Sequence, residues 1–420
     1  MNHTSEWDWT PGRRVIWDLI HCAKVYEWLE EIAPSPDGEK IATSVIVDET
    51  AAGVCVSGEL WDDFYDKIYY LRYAPDGRLT ALVQKDGTWA MAVDGEAWPD
   101  SYDFLWNPLF SAAGEGVAVS AQQEMRYGMV LNGVAWDELY PNANNFAIAP
   151  DGKATAAAVQ VETFPQADIR KFQEGCFSVA VNGKAWASRF VNVWTPVFDP
   201  AGQGVAVQTR LSLYDYTIAV DGEPWTEKFQ CVWEPCFNPA TGKVVAPVRT
   251  GGAWGMAEDG KLIWPARFAQ VWGQRFSPGG DRLFAVVAPT FGKWTVAVDG
   301  VPWKPCFTSL ATGLTVSPDG RRAAVVGKNG DKWSVMVDGV MWPGAYEMAW
   351  QPVFSPDSRR VAVKVEKPGK QYTVLVDGQE HKRQFDQLWD PTFSPDGSLL
   401  LLRALVRQKY TRIVAPVSEL

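Results

Sequence analysis

The residues best suited to metal, redox or nucleophilic chemistry are few and scattered in this chain of 420 residues. The histidines are His3, His21 and His381, and the cysteines are Cys22, Cys55, Cys176, Cys231, Cys236 and Cys306. No Cys-x-x-Cys pair occurs, which excludes c-type haem attachment, and the step from Cys231 to Cys236 is unlike the usual zinc and iron–sulfur spacings. We therefore expect no metal and no cofactor, and we expect reduced, mostly buried thiols.

The motifs of common catalytic folds are also missing. The chain has no Gly-x-Ser-x-Gly elbow, no Walker loop and no Gly-x-Gly-x-x-Gly before a helix, which excludes the propeller-bearing serine peptidases and argues against nucleotide binding. A net charge of −11 argues against nucleic acid as a partner, because binding its backbone needs a basic surface. We expect a protein that is not an enzyme, although the sequence leaves open a carboxylate pair for glycoside hydrolysis.

Many of the aspartates fall into two repeated turns, and the first of these turns is Ser-Pro-Asp-Gly. Proline presets the backbone of a type I turn, aspartate stabilises the turn, and glycine accepts the backbone conformation at its end. The predicted role of the carboxylate is therefore to bind backbone. Copies lie about 39 residues apart, a period typical of solenoids and propellers. Clear copies begin at Ser35, Ala74, Ala149, Ser317 and Ser394, and decayed copies at Ser111, Asp199, Asn238, Ser277 and Ser355.

A second turn, Val-Asp-Gly-x-x-Trp, alternates with the first along the chain, as in residues 93–98 and 298–303. Asp-Gly and Asn-Gly supply the positive φ values of a tight hairpin. The runs between turns, such as residues 283–287 and 294–298, have the composition and alternation of strands. Four strands in each repeat predict a propeller blade.

The two ends of the chain predict how the ring closes. Residues 410–416 align with the third strand of a blade, after which the chain stops, and residues 14–18 resemble the missing fourth strand. The prediction is an all-β fold, a β-propeller of about ten four-stranded blades, closed by the N-terminal strand joining the C-terminal blade. Two five-bladed propellers are the alternative. We expect an N-terminal extension over residues 1–12 and a single propeller over 13–420, with an enlarged hairpin at 160–175.

The chain has 22 tryptophans, and most occupy repeating positions. Nine follow the Asp-Gly turn, six lie four residues before the aromatic end of the first strand, and four lie six residues before the Asp-Gly glycine. Only Trp7, Trp9 and Trp28 fall outside these positions. The periodicity favours packing between and within blades, and ligand stacking or electron relay is the alternative.

Two features depart from the repeat and are candidates for docking a partner. An insertion in the fourth repeat lengthens a hairpin, and propellers bind partners through such loops. Its candidate docking residues are Phe164, Pro165, Ile169, Arg170, Lys171 and Phe172. Trp7 and Trp9 are the candidate N-terminal docking residues. Residues 355–412 also carry a net charge of +4, which suits either an acidic partner, an anionic surface or an uneven protein surface.

The Ser-Pro-Asp-Gly turns resemble the WD40-like repeats of the TolB type. With its many tryptophans, its Val-Asp-Gly-x-x-Trp repeats and no apparent leader, the chain also resembles the tryptophan-rich cytoplasmic subunit of the Tmc transmembrane redox complexes of sulfate-reducing bacteria. That resemblance implies a subunit without a redox cofactor of its own. Its implied partners are a multihaem cytochrome c, a membrane cytochrome b and an iron–sulfur protein.

The function predicted first is therefore a non-catalytic scaffold of a membrane-associated electron-transfer complex, as in sulfate respiration. No apolar stretch is long enough to span a bilayer, so we expect a cytoplasmic protein held peripherally at the inner membrane through that complex. The first alternative is a carbohydrate- or peptide-binding propeller that uses tryptophans in its central channel. The second is a propeller hydrolase.

Overall fold

The computed structural model describes residues 3–20, 24–26, 28–49, 51–163 and 168–419, and it is built almost entirely of strands. Ten antiparallel sheets of four strands form the blades of a single ring, which confirms the predicted fold. Short helical segments accompany them, among them the 3₁₀ turns His3–Glu6 and Val417–Glu419 and the α-helix Ile169–Glu174, α1. The first strand is broken in two in blades 5, 6, 9 and 10.

Within each sheet the strands follow one another in chain order, except that the fourth strand of blade 10 comes from the N-terminus. The strands of the first four blades are Leu29–Pro34, Ile41–Asp48, Ala51–Val56 and Glu59–Leu60 in blade 1; Lys67–Tyr73, Leu79–Lys85, Thr88–Val93 and Glu96–Ala97 in blade 2; Phe104–Phe110, Val117–Gln123, Arg126–Leu131 and Val134–Ala135 in blade 3; and Ala143–Ile148, Thr155–Gln160, Phe177–Val181 and Lys184–Ala185 in blade 4. Those of the next three are Asn192–Val193 with Val197–Phe198, Val205–Arg210, Tyr216–Val220 and Glu223–Pro224 in blade 5; Cys231–Val232 with Cys236–Phe237, Val244–Thr250, Ala253–Glu258 and Lys261–Phe268 in blade 6; and Gln270–Phe276, Leu283–Thr290, Lys293–Val298 and Val301–Pro302 in blade 7. Those of the last three are Leu310–Val316, Ala323–Asn329, Lys332–Val337 and Val340–Met341 in blade 8; Met348–Ala349 with Val353–Phe354, Val361–Lys367, Gln371–Val376 and Gln379–Glu380 in blade 9; and Gln387–Leu388 with Thr392–Phe393, Leu399–Val406, Lys409–Pro416 and Gly12–Asp18 in blade 10.

The aspartates of both turns bind backbone, as the sequence predicts. In blade 8, the Ser317 hydroxyl donates to the Asp319 carboxylate at 2.6 Å and accepts from the amide of Arg322 at 2.9 Å. In the second turn, Asp338 has a φ of +50°, and its carboxylate accepts from the Ala323 amide at 2.9 Å. Each turn therefore ties the start of one strand to its neighbour, which explains why both turns recur along the chain.

The tryptophan after each Asp-Gly turn packs on the Asp-Gly glycine of the next blade. A methyl group added at Gly300 would lie 3.2 Å from the Trp264 ring, and Gly300 also has a φ of +82°, so glycine suits this position both in space and in backbone conformation. Between blades 5 and 6 a methyl group added at Gly260 would lie 3.6 Å from the Cβ of Trp225 and 3.5 Å from that of Glu227, so blade 5 packs on blade 6, whereas a five-bladed ring would return blade 5 to blade 1. This succession excludes the alternative of two five-bladed propellers. The pairs are Trp17–Gly58, Trp61–Gly95, Trp98–Gly133, Trp136–Gly183, Trp186–Gly222, Trp225–Gly260, Trp264–Gly300, Trp303–Gly339 and Trp342–Gly378.

His381 replaces the tryptophan at the one place where the next blade has no Asp-Gly turn. It follows the turn of blade 9, and in blade 10 the third and fourth strands come from opposite ends of the chain. No hairpin glycine is therefore present for an indole to cover. The imidazole instead stacks on Phe385, with ring centres 6.0 Å apart.

A fourth repeated aromatic position, beyond the three tryptophan positions, escaped the sequence reasoning. Four residues after each post-turn tryptophan, or after His381, stands a Tyr or Phe that is buried in all nine blades with a hairpin turn. In eight of them its backbone forms an isolated bridge to the first residues of the third strand, as between Tyr102 and Trp89. This residue returns the chain from the outer edge of one blade toward the next. The signal, an aromatic at a fixed step of four, is present in the sequence.

The ring closes where strand Gly12–Asp18 pairs with strand Lys409–Pro416, as predicted. Beyond this ladder, the buried Arg412 donates from Nε to the Asp37 carbonyl at 2.8 Å and from its other nitrogen to the Asp8 carbonyl. The Tyr410 hydroxyl donates to the Gly38 carbonyl at 3.1 Å, and burial raises the pKa of that hydroxyl. The last blade is thus bonded to the Pro-Asp turn of the first.

Candidate functional site

The ring has two faces of different chemistry. Because the strands of a blade are antiparallel, the Pro-Asp and Asp-Gly turns lie on one face, which we call the turn face. The hairpins between second and third strands lie on the opposite face, the hairpin face. The turn face is made of short polar turns, whereas the tips of several hairpins are apolar.

Exposed apolar side chains cluster at the hairpin tips of blades 3, 4, 5 and 7, and we call this set the apolar tips. The most exposed is Phe291, with 95% of its surface accessible. A large exposed apolar surface is unusual unless a partner covers it. The set consists of Met125, Ile169, Phe172, Leu213, Tyr214 and Phe291.

The predicted docking insertion lies on the hairpin face of blade 4. Its helix α1 begins after Asp168, whose carboxylate accepts from the amides of Arg170 and Lys171, and no residue of the helix is buried. Ile169 and Phe172 are one turn apart and share a side of the helix. Phe164 and Pro165 lie outside the described residues. A six-residue helix is not stable by itself, so its exposed apolar side is suited to stabilisation by a partner.

The second predicted docking element, Trp7 with Trp9, lies elsewhere. The two rings stack with centres 6.0 Å apart, and the Trp9 indole donates to the Thr4 carbonyl at 2.7 Å. Trp7 lines a cleft with the Pro-Asp turns of blades 1 and 2, on the turn face. The structure therefore places the two predicted docking elements on opposite faces, with Trp7 and Trp9 beside the ring closure.

The first strands of neighbouring blades contact each other, so they form the wall of the central channel. Six of them carry a tryptophan, namely Trp106, Trp194, Trp233, Trp272, Trp350 and Trp389. Each packs against an aromatic residue of the third strand in its own blade. The tightest pair is Trp272 with Trp294, whose ring centres are 4.5 Å apart. Packing thus accounts for one side of these indoles, and the channel side stays open at some of them.

The channel side is open at blades 5 to 7, where three indoles line a pocket of about 260 Å³. Trp233 is partly exposed here, while its other face stacks on Trp254 at 5.3 Å. The buried Gln274 donates to the backbone carbonyl of Glu234 at 2.6 Å and holds the pocket wall in place. The lining residues are Trp194, Thr195, Gln208, Trp233, Glu234, Trp272, Gly273 and Gln274.

Two titratable groups outside this pocket have pKa values that are shifted by their surroundings. Burial raises the pKa of the Cys236 thiol to about 12, so that thiol stays protonated at neutral pH. Hydrogen bonds from the hydroxyl of Ser394 and from Ser398 lower the pKa of Asp396 to about 2, so that turn carboxylate stays ionised. Among the described residues no group of three or more His, Cys, Asp and Glu side chains is placed to hold a metal ion.

Much of the positive charge in residues 355–412 is neutralised within the ring. Six of its eleven basic side chains lie within 4.0 Å of a carboxylate oxygen. Arg412 is buried and Arg403 donates to the carbonyls of Ser35 and Asp390, so both serve the closure. This sector is therefore part of the ring closure more than a free basic surface.

Together these features define a ten-bladed β-propeller with an apolar hairpin face and an aromatic channel. No protein-family profile and no curated protein sequence matches the chain. Among solved structures, it is similar to a eukaryotic initiation factor at 12% identity, over 81% of this chain and 94% of that one, with a TM-score of 0.49. It is also similar to the Dos1 propeller at 11% identity, over 99% and 96% of the two chains, with a TM-score of 0.34. Neither likeness carries information about function. No described helix is long and apolar enough to cross a membrane.

Proposed function

We propose that the protein is a non-catalytic interaction subunit that docks a protein partner on its hairpin face. The observation that carries this proposal is the set of apolar tips, which includes a helix with no buried residue. Docking would cover these side chains and stabilise α1, whereas the turn face offers mainly polar turns. Apolar side chains at the centre of a patch contribute most of the binding energy in protein interfaces.

A non-catalytic role is supported by what the carboxylates do. Asp94, Asp299 and Asp377 each accept from a backbone amide at the start of a second strand, at 2.8, 2.9 and 3.0 Å. The Pro-Asp aspartates bind serine hydroxyls and backbone in the same way. These carboxylates are committed to turns, where they bind the backbone and serine hydroxyls.

We infer that the partner belongs to a membrane-associated electron-transfer complex, with the propeller at its cytoplasmic side and without a redox cofactor of its own. The support is the resemblance to the tryptophan-rich subunit of Tmc complexes, carried by the tryptophan content and the Val-Asp-Gly-x-x-Trp repeats. The partners would then be its cytochrome c, cytochrome b and iron–sulfur subunits.

Affinity purification from the native host tests both parts of the proposal. The test variant carries Ile169→Asp and Phe172→Asp on α1. The control carries Val301→Asp and Val340→Asp, apolar residues that are 66% and 64% exposed and directly follow Asp-Gly turns, away from the hairpin face. We expect the wild type and the control to retain haem and iron–sulfur subunits, and the α1 variant to lose them while its melting temperature stays unchanged.

The outcomes separate the two parts. Retention of the partner by the α1 variant would contradict docking through the hairpin face. A partner without haem or iron–sulfur centres that the α1 variant loses would support docking and refute the electron-transfer assignment. A wild-type protein that purifies alone would refute both.

A further inference from the structure

One cation–aromatic contact is built into the channel wall, in blade 9. The ammonium of Lys364 lies 4.2 Å from the centre of the Trp350 ring and 3.2 Å from the carboxylate of Asp390. Only 13% of the Lys364 side chain is exposed. Trp350 comes from the first strand of blade 9, Lys364 from the second, and Asp390 from the neighbouring blade 10. An indole face and a carboxylate thus bind one ammonium group between two blades.

The same three positions occur four blades earlier, but there the cation is missing. Trp194, Gln208 and Glu234 each lie 156 residues before Trp350, Lys364 and Asp390, respectively. The indoles are also held alike, since Trp194 tilts on Tyr216 at 6.2 Å and Trp350 tilts on Tyr372 at 5.8 Å. The repeat therefore reproduces the aromatic and acidic parts of the arrangement with a neutral side chain in place of lysine.

These three residues line the open channel pocket of blades 5 to 7, together with Trp233 and Trp272. Gln208 is only 6% exposed, and within the described part of the chain its carboxamide has no hydrogen-bond partner. The Glu234 carboxylate likewise has no ion-pair partner among the described residues, although its backbone is held by Gln274. The pocket thus holds two polar groups whose hydrogen-bonding capacity is unused, beside three indoles.

We propose that this pocket binds the alkylammonium group of a ligand, at the position that corresponds to the Lys364 ammonium in blade 9. The indoles of Trp194 and Trp233 contact the cation and its alkyl groups, the Glu234 carboxylate balances the charge, and the Gln208 carbonyl oxygen accepts from an N–H where the ligand has one. The net charge of −11 favours entry of a cation into the channel. The ammonium comes either from a free amine or from a lysine side chain of a docked protein.

Isothermal titration of the full chain at low salt tests the site, with choline and n-butylammonium as probes and sucrose as a neutral probe. Gln208→Lys supplies the missing ammonium from the protein itself, so we expect it to weaken choline binding at least about tenfold. Glu234→Gln should weaken binding by a similar factor. Lys364→Gln, the reverse change in blade 9, should add a second site per chain. Thermal unfolding shows whether each variant is folded. If Lys364→Gln does not fold, Gln208→Lys and Glu234→Gln are sufficient to test the site.

The proposal is overturned if neither ammonium probe binds at about 10 mM, an upper limit for a site of this kind. It is equally overturned if both bind but neither Gln208→Lys nor Glu234→Gln weakens them, or if only sucrose binds. A lysine-containing peptide that binds more tightly than n-butylammonium identifies a protein side chain as the natural ligand. Tighter binding of choline identifies a free amine.

Discussion

The ring closure should depend on Arg412 far more than on exposed arginines of the same sector. Its side chain is 2% exposed, and it bonds the last blade to the first turn of the chain through the carbonyls of Asp37 and Asp8. Its Nε also lies 2.9 Å from the carboxylate of Glu39. The perturbation is Arg412→Met, which keeps the length of the side chain and removes the guanidinium.

The magnitude follows from what the substitution leaves behind. Two backbone carbonyls lose their donor and the Glu39 carboxylate keeps only its contact with Arg14. Breaking a buried ion pair on one side costs about 3–5 kcal/mol. Since the Glu39 side chain is 30% exposed, water recovers part of that loss. We expect the free energy of unfolding to fall by about 3 kcal/mol. Arg412→Lys keeps the charge but has fewer hydrogen-bond donors, so its free energy of unfolding should lie between those of the wild type and Arg412→Met.

Two assays report on the closure. Urea unfolding gives the loss of stability, and brief trypsin digestion reports the release of strand Gly12–Asp18, which contains Arg13 and Arg14 as cleavage sites. Arg412→Met should lower the urea midpoint and speed cleavage at these sites. The matched control is Arg359→Met, because Arg359 is 84% exposed and 3.7 Å from Asp357. An exposed pair of this kind contributes less than about 1 kcal/mol.

If Arg412→Met shifts the urea midpoint no more than Arg359→Met does, the proposed contribution of Arg412 to the ring closure is refuted. Faster cleavage without a shift in the midpoint would show that the N-terminal strand detaches locally and that the other blades do not depend on it. Equal cleavage rates in the two variants would show that the strand ladder alone holds the ends together.

Two further predictions concern the aromatic repeat. Replacing the buried Trp264 by alanine removes its contact with Gly300 and should lower the free energy of unfolding by about 3–5 kcal/mol, whereas the exposed Trp28→Ala should change it by less than about 0.5 kcal/mol, both measured by urea unfolding. Burial lowers the pKa of His381 below its ordinary 6.5, so on acidification the unfolded chain takes up a proton before the folded one. The wild type should therefore lose stability relative to His381→Gln as the pH falls below 6.5, and a difference that does not depend on pH would contradict this.

The repeat chemistry made the fold readable from the sequence. The Ser-Pro-Asp-Gly and Val-Asp-Gly-x-x-Trp turns are stabilised by hydrogen bonds within about five residues and by bonds to the adjacent strand. Their spacing therefore predicted the strands and the number of blades. The closing strand was predictable because residues 14–18 and 410–416 complete one blade. The aromatic residue four positions after each post-turn tryptophan was readable in the same way and was missed.

The candidate sites depended on contacts between blades, which a linear repeat does not show. Trp7 lies on the turn face, beside the Pro-Asp turns of blades 1 and 2. Ile169 lies on the opposite face, because its segment is inserted in a hairpin between a second and a third strand. The likeness of Gln208 and Lys364 became meaningful only when Glu234 and Asp390 were seen to enter from the neighbouring blades. Side chains far apart in sequence meet there because first strands converge at the ring centre.

The strands, the turns and the ten repeats of this protein follow from its sequence, which allowed two five-bladed rings as well as one ring closed by both termini. These follow from local rules of backbone conformation and from alternation, which each repeat satisfies separately. The packing of the folded ring shows which tryptophans lie against a glycine of the next blade and where an indole is open to the channel. It also explains why His381 replaces the tryptophan of the repeat. Those properties arise from the packing of one blade on the next, and ring closure makes the junction of blades 9 and 10 unlike all the others.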